Sequence, residues 1–539
     1  MKRAVYIVMF LTAFLSAFSQ PENMKEVFDD AEYFFLNEEY NEALVNYLKI
    51  YRRGNQNNAN ISYRIGVCYL NSVDKEKSID YLETAVKQVS PNYKEGSLKE
   101  ENAPIDAYLW LGNAYRIKND LEKAITSYNK YLSLIKGEST KKDENVSFTK
   151  KQIECCQTAF EMEKNPISVA ITVLDPPINN SSANFDAVVN SDETVMAYVN
   201  KLRFYDAVYV SRKVNDKWAV PENITPQIQS DGNQYTTCIS ANGNVIYFTK
   251  EDNYDSDIYS SKYNGKTWEK ATPLNGNINT KYWESHASIS FDGKTLYFSS
   301  NRRGGLGGQD IYVSQLTPAG DWGPAVNLGS KINTIFEDDY PFISEDGKTL
   351  YFSSQGHKNM GGFDIFYSTK QADGSWSEPV NIGYPINTTD DDIFYCPVKD
   401  GIYAYQSKFI KNGQGDLDII RYELFSSKNP MKYIVNGNIG TIIPDVSNLV
   451  IVAVNKNNSD SIKVVLDKTT KGFSFKAPAG TYELIFIGKE VKKSKTFIIP
   501  ADQKEQKVKI NPELALLPKE SFDLLTYVES FYKNKYTFL

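Results

Sequence analysis

The chain has 539 residues, a formal net charge of −7, 41% hydrophobic and 13% aromatic residues, with 37 tyrosines among them. That length exceeds what one hydrophobic core organises, and the apolar fraction excludes wholesale disorder. The acidic balance argues against nucleic acid as a partner, since phosphate binding needs a basic face.

Residues 1–19 read as an export signal. Lys2 and Arg3 form its positive end, Ala4 to Leu15 is apolar apart from Thr12, and Ala17-Phe18-Ser19 places small residues before Gln20. The run is shorter than the about 20 residues a spanning helix needs. Cleavage would take the net charge to −9. No Cys follows the cleavage site to carry a lipid, and no later segment is apolar enough to span. The mature chain is expected to be exported, without a transmembrane segment.

Residues 20–164 carry helical periodicity with three copies of one pattern: Ala31…Phe34…Ala43…Tyr47, Gly66…Tyr69…Ser78…Leu82 and Gly112…Tyr115…Ala124…Tyr128. In each, twelve residues separate the two small positions, which let paired antiparallel helices approach closely. The copies start 35 and 46 residues apart, the longer step reflecting a polar insertion from Ser90 to Pro104. This resembles the tetratricopeptide repeat, and Phe148 to Met162 reads as a closing helix. On the face built from the first helices, Tyr63, Asn113 and Arg116 are candidate peptide-binding residues, with Asn and Arg able to hold a carboxylate or backbone.

From 165 to 425 the period changes. Ser288-Ile289-Ser290-Phe291-Asp292-Gly293-Lys294-Thr295-Leu296-Tyr297-Phe298 recurs as Phe342-Ile343-Ser344-Glu345-Asp346-Gly347-Lys348-Thr349-Leu350-Tyr351-Phe352, 54 residues on. Asp-Gly turns between short alternating strands are hairpin chemistry, and four strands per repeat make a propeller blade. Five third strands open with Asp206, Asp257, Asp310, Asp364 and Asp418, at spacings of 51, 53, 54 and 54; Trp218, Trp268, Trp322 and Trp376 follow the first four. These nine residues are read as structural, each Asp accepting loop amides beside its strand. The fifth copy lacks an outer strand, which Ile167 to Leu174 is expected to supply before Pro177-Ile178-Asn179. Five blades is the expectation, six the alternative if Ser182 to Leu202 holds more than two strands. The repeats resemble the WD-like propeller repeats of TolB-type proteins.

Catalysis is not expected. The blades offer only scattered arginines for a sialidase-like site, no Gly-x-Ser-x-Gly follows for a prolyl-peptidase arrangement, and the whole chain has two histidines, His286 and His357. No cofactor is expected. Glu337-Asp338-Asp339 and Asp390-Asp391-Asp392 are oxygen-rich runs, read as solvated turns, with Ca²⁺ binding as the alternative. Cys68, Cys155, Cys156, Cys238 and Cys396 form no disulfide framework; the adjacent helical pair Cys155-Cys156 points apart.

Residues 431–512, with Gly472-Phe473 and Pro478-Ala479-Gly480-Thr481-Tyr482, resemble the carboxypeptidase-regulatory-like β-sandwich. Residues 513–539 form an amphipathic tail, a helix from Pro518 to Tyr536. The fold class is thus multidomain α + β: helical repeats, propeller, small sandwich. That order resembles exported proteins of Bacteroidota that end in an OmpA-like peptidoglycan-binding domain and include a component of the type IX secretion and gliding machinery. The resemblance covers about residues 25 to 512 and implies a non-catalytic periplasmic scaffold, peripheral to the outer membrane, whose partners are outer-membrane or secretion components. The chain carries no OmpA-like domain, so peptidoglycan binding is not expected of it. The alternative function is carbohydrate or peptide sensing at the propeller's mouth.

Overall fold

The computed structural model describes residues 23–135, 140–252, 255–399, 401–424, 432–439, 446–488, 492–499, 507–510 and 515–516. The export signal and the tail helix from Pro518 lie outside them. Two compact units divide after Tyr422.

The first unit begins with helix pairs Met24–Leu36 and Tyr40–Arg52, Ala59–Leu70 and Ser78–Ala85, Ala107–Ile117 and Leu121–Leu134, followed by the long helix Thr140–Glu163. The small residues do the pairing. A Cβ on Gly112 would lie 2.4 Å from the Tyr128 ring, and one on Gly66 2.5 Å from the Leu82 side chain. Ala31 and Tyr47 repeat this sixteen-residue relation, both fully buried. The polar insertion folds back: Val89–Ser90 pairs in parallel with Ala103–Pro104, and the Tyr93 hydroxyl donates to Asn60.

The β region forms five blades, four of them four-stranded and blade one five-stranded because Lys217–Trp218 and Glu222–Asn223 both pair with Asp206–Val214, so the six-bladed alternative falls; Ser182 to Leu202 holds two strands. Blade one begins with Asn184–Val189, blade two with Gln234–Ile239, blade three with Glu284–Ile289, blade four with Asp338–Ile343 and blade five with Cys396–Val398. Blade five takes its outer strand, Ala170–Val173, from before blade one, against Asp418–Glu423.

The outer strands of blades two to four are only two residues long, too short to satisfy the third strands' backbone groups. One side-chain amide per blade completes the ladder. Asn333 Oδ1 accepts from Ile311 N at 2.8 Å while its Nδ2 donates to Ile311 O at 3.0 Å. Asn387 clamps Ile365 at 2.8 and 2.8 Å, and Asn279 clamps Ile258 at 2.9 and 2.9 Å. In blade five the clamp comes from the other end of the propeller: Asn179 holds Ile419 at 2.8 and 2.9 Å.

A buried carboxylate seals the same seam. Glu193, between the first two strands of blade one, accepts from Arg421 Nε at 2.6 Å, from Lys399 Nζ at 3.0 Å and from the Tyr405 hydroxyl, all in blade five. Burial pushes its pKa up, but these donors outweigh it and hold it at about 2.

The second unit is a two-sheet β-sandwich. Gly472–Pro478 pairs with Lys432–Asn438 in one sheet, and Val450–Asn455 with Gly480–Ile487 in the other. Val435, Phe473 and Phe475 meet Ile451, Leu484 and Phe486 in the core between them. Ala515–Leu516 adds to the second sheet as a strand, not as part of a helix.

Replacing Asn387 by Ala strips one buried N–H and one buried C=O of partners and should cost about 1–3 kcal/mol in urea unfolding; an unchanged midpoint would show the clamp to be dispensable. Glu193→Ala leaves the partly exposed Arg421 and Lys399 and the buried Tyr405 hydroxyl without their acceptor and should cost about 1–3 kcal/mol at neutral pH. Because Glu193 has a lowered pKa in the folded state, its contribution is complete above the ordinary glutamate value of 4.5 and is lost as pH falls through about 2. The variant's stability should therefore fall less steeply than the parent's across that window, followed by thermal unfolding at stepped pH.

Candidate functional site at the propeller axis

The residues proposed from sequence as a peptide-binding face are used inside the molecule. Tyr63 is buried in the helical core. Asn113 accepts from the Tyr128 hydroxyl at 2.8 Å. Arg116 is buried, and its guanidinium donates to the carbonyl of Thr389, in the connection from blade four to blade five. Around it Lys75 pairs with Asp390 at 2.7 Å, Lys151 Nζ donates to His357 O at 2.8 Å, and Met360 of blade four is fully buried in the helical core. An open peptide site at Tyr63, Asn113 and Arg116 is therefore corrected: the helical array closes that face on propeller loops, which supply the backbone carbonyl a peptide would have offered.

The five strand-opening aspartates divide. Asp310 accepts from Leu306 N at 2.6 Å, Gly307 N at 3.2 Å and Asn327 Nδ2 at 2.8 Å. Asp364 accepts from Met360 N at 2.7 Å and Asn381 Nδ2 at 2.7 Å, and Asp418 from Gln414 N at 2.8 Å and Gly415 N at 3.3 Å. Asn327 and Asn381 in turn accept from the clamp residues Asn333 and Asn387, at 2.9 and 2.8 Å. Asp257 and Asp206 depart from this pattern. Opposite Asp257's strand Pro273 stands where Asn327 stands in blade three, and among the described residues no amide donates to Asp257; its Oδ1, like that of Asp364, is buried without a partner, and burial raises Asp364 to about 8. Burial, with Asp255 and Glu284 nearby, raises the Asp257 pKa to about 6. Asp206 meets only the Tyr235 hydroxyl, at 3.4 Å. Trp268, Trp322 and Trp376 are buried ahead of their outer strands; Trp218 is half-buried and pairs with Lys213.

Among the described residues no group of three or more His, Cys, Asp or Glu is placed to hold a metal ion. The two acidic runs raised as Ca²⁺ sites diverge instead. Glu337 takes Gln309 N, Asp338 takes Thr334 N and Asp339 faces His286; Asp390 pairs with Lys75, Asp391 takes Phe363 N and Asp392 pairs with Lys408. Carboxylates spent singly on separate partners make no cage. All five cysteines are free and buried.

What sequence reading missed lies on the axis. The inner strands carry register shifts at Asp186-Ala187, Thr237, His286 and Tyr340-Pro341, and bulges re-aim side chains. Position by position, Asp186, Thr236, His286, Tyr340 and Phe394 are equivalent, 50, 50, 54 and 54 residues apart. Three adopt left-handed backbone: Asp186 at φ 51°, Tyr340 at 55° and Phe394 at 57°. For aromatic residues this is a strained choice. The His286 ring lies 3.8 Å from that of Tyr340, and Phe394 stands edge-on to both, at 6.0 and 6.2 Å. His286 Nδ1 is 3.0 Å from Asp339 Oδ1, which also accepts from Tyr340 N. Burial pulls the His286 pKa down, but Asp339 overrides it and the net shift is upward. Burial raises Asp186 to about 7. Thr237 and Tyr395 line the small cavity beneath, about 10 Å³ and hence room for one water. The repeat spacing was the one signal that could have found these positions, and their differing residue types hid it.

Residues 105–137 match the tetratricopeptide repeat family. No curated protein matches the chain. Among solved structures, TolB of Acinetobacter baumannii is similar at 14% identity and a TM-score of 0.33, over 54% of this chain and 71% of that one. An α-L-arabinofuranosidase from Lactobacillus brevis is similar at 13% identity and a TM-score of 0.33, over 47% and 94%. At such identities and scores these likenesses say nothing about ligand; the propeller rests on its own strand order.

Asp310→Ala should cost about 1–3 kcal/mol by denaturant unfolding, since it orphans loop amides and Asn327. Asp257→Asn should behave oppositely. A carboxyl whose folded pKa is raised binds extra protons when folded, so it takes stability away as pH rises from 3.8 through about 6. The Asn variant should lack that loss, seen as a melting temperature equal to or above the parent's at pH 7; equal destabilisation by both variants would refute the division.

Proposed function

We propose that this is a non-catalytic interaction scaffold of the periplasm, held at the outer membrane and accessory to type IX secretion or gliding. The observation that carries the reading is the lock between two interaction-type modules: Arg116, Lys75 and Lys151 are spent on propeller loops, fixing the helical repeats to blades four and five. Fusing two repeat arrays into one body creates a broad, pre-organised surface, which suits assembly of partners. No helix among the described residues is long and apolar enough to cross a membrane. The periplasmic address rests on the signal-like residues 1–19 and on the family resemblance. The absence of enzyme activity belongs to the same proposal: His286 is committed to Asp339, and His357 Nε2 lies 2.8 Å from the carbonyl of Ile332.

A second reading, ligand capture at the propeller mouth, is favoured by the aromatic and carboxylate side chains on the axis.

Cross-linking in intact cells should join the full chain to outer-membrane or secretion components. Recovery of cross-links only to soluble substrates, or turnover of glycosides or peptides by the purified chain, would refute the scaffold reading.

A further inference from the structure

We propose that the axial mouth of the propeller is a docking site for a basic side chain, a lysine or arginine presented by a partner polypeptide. The inference rests on the interaction reading above and adds the chemistry of what is bound.

The mouth lies where the inner strands begin. By strand order, the loops from second to third strands and those between blades gather at this same end. Its charge is one-sided. Asp186, Glu251, Asp206 and Asp339 meet there, with Asp186 and Glu251 each sensing His286 and a further carboxylate. His286 is taken by Asp339, and Lys201 faces Asp206 at the edge of the cluster. The nearest arginine of blade three, Arg302, is bound to Ser300 and the carbonyls of Ile278 and Asn277. Among the described residues the carboxylates of Asp186 and Glu251 have neither hydrogen bond nor ion pair. An anion entering here would meet uncompensated negative charge; a cation would relieve it.

The walls fit the same ligand. Tyr340 and Phe394 are half-buried, and Phe363 stands edge-on to Tyr340 at 6.0 Å. Ring faces attract an ammonium or guanidinium group, more strongly where water is thinned out. Thr237 and Tyr395, 5% and 4% exposed, are among the residues lining the cavity, and their buried hydroxyls have no hydrogen-bond partner, the Tyr395 ring lying against Tyr351 and Tyr422. Both can accept a hydrogen bond from an N–H donor. Unpartnered hydroxyls on residues of the cavity wall are an observation independent of the carboxylates.

The rim points to a polypeptide as the carrier. Phe204 is 85% exposed, Ile335 70% and Leu306 45%, and all sit on loops at this end. A lone amine gains nothing from such a rim, whereas apolar residues flanking a basic one would cover it. Glycans are the other class a propeller mouth could take. Trp268, Trp322 and Trp376 precede outer strands, while Trp283, 37% exposed on the loop just before His286, lies at this end, so glycan binding is an outcome the test must separate.

The test uses the full mature chain and acetylated, amidated pentapeptides Leu-Phe-Lys-Phe-Leu and Leu-Phe-Arg-Phe-Leu, with norleucine and Glu at the centre as controls, followed by calorimetry. Saturable binding of the Lys or Arg peptide, at least tenfold tighter than the norleucine peptide, is expected. Asp186→Asn and Glu251→Gln, alone and together, preserve shape and should each weaken it several-fold while leaving the melting temperature within a few degrees. Phe394→Leu, which keeps the carboxylates, should weaken it independently. Equal affinity for Lys, norleucine and Glu peptides, absence of saturable binding, or full affinity in the folded Asp186→Asn/Glu251→Gln variant would each overturn the proposal, as would xylo-oligosaccharide binding that the double variant abolishes. Cellular cross-links that persist in the double variant would leave the scaffold reading standing while this inference fails, so the two are separable.

Discussion

Each of blades two to five hangs on one side-chain amide. A two-residue outer strand cannot satisfy the groups its neighbour presents, and a buried N–H or C=O left unpaired is costly. Asparagine answers both with a single amide, whose oxygen accepts and whose nitrogen donates at one backbone position. Within blades two to four the clamp spans 21 or 22 residues and is a local device. In blade five it spans 240, from Asn179 to Ile419. There the outer strand Ala170–Val173 has four residues, and the amide joins it in closing the ring. Glu193 sits at the same seam, which explains why a carboxylate so deeply buried is tolerated: Arg421, Lys399 and Tyr405 donate to it from the neighbouring blade, and the Arg421 guanidinium lies 3.7 Å from the Tyr403 ring.

A closed ring is also what lets blades four and five act as an anchor. Arg116 is a buried cation, and burying one is expensive unless its donors are met. The carbonyl of Thr389 meets it only if the connection between those blades holds still. That connection is fixed at both ends, by Asp392 with Lys408 and by the Asn387 clamp. The rigidity of the propeller thus turns a groove cation of the helical repeats into a structural rivet. In consequence, the helical array cannot present Arg116 to a peptide, and recognition moves to the surfaces the rivet leaves open.

Much of this was legible in the sequence because repetition amplifies weak signals. The Asp-Gly turns and the Trp positions located four strands per repeat, and the fifth blade's missing strand pointed to Ile167 to Leu174, ahead of Pro177-Ile178-Asn179. The sixteen-residue relation of Gly112 to Tyr128 was implicit in the helical spacing. Arg116 was misread because a solvated groove arginine and one clasped by another module look alike in one dimension; Thr389 lies 273 residues away. Asp257 was grouped with Asp310 by position alone, although Pro273, lacking the amide that Asn327 supplies, marks the difference. The axial ring escaped because bulges, not alternation, decide which inner-strand residue faces the axis, and a bulge has no composition of its own.

The axis is where local rules are broken together. Tyr340 and Phe394 take a backbone region that bulky residues avoid, Asp186 and Glu251 remain unpaired near other carboxylates, and two buried hydroxyls find no partner. Around the outer strand of blade three, by contrast, Asp310, Asn327 and Asn333 complete one another. Unrelieved charge and strain that coincide at one mouth, in a scaffold otherwise consistent from turn to clamp, mark a place shaped for something other than stability.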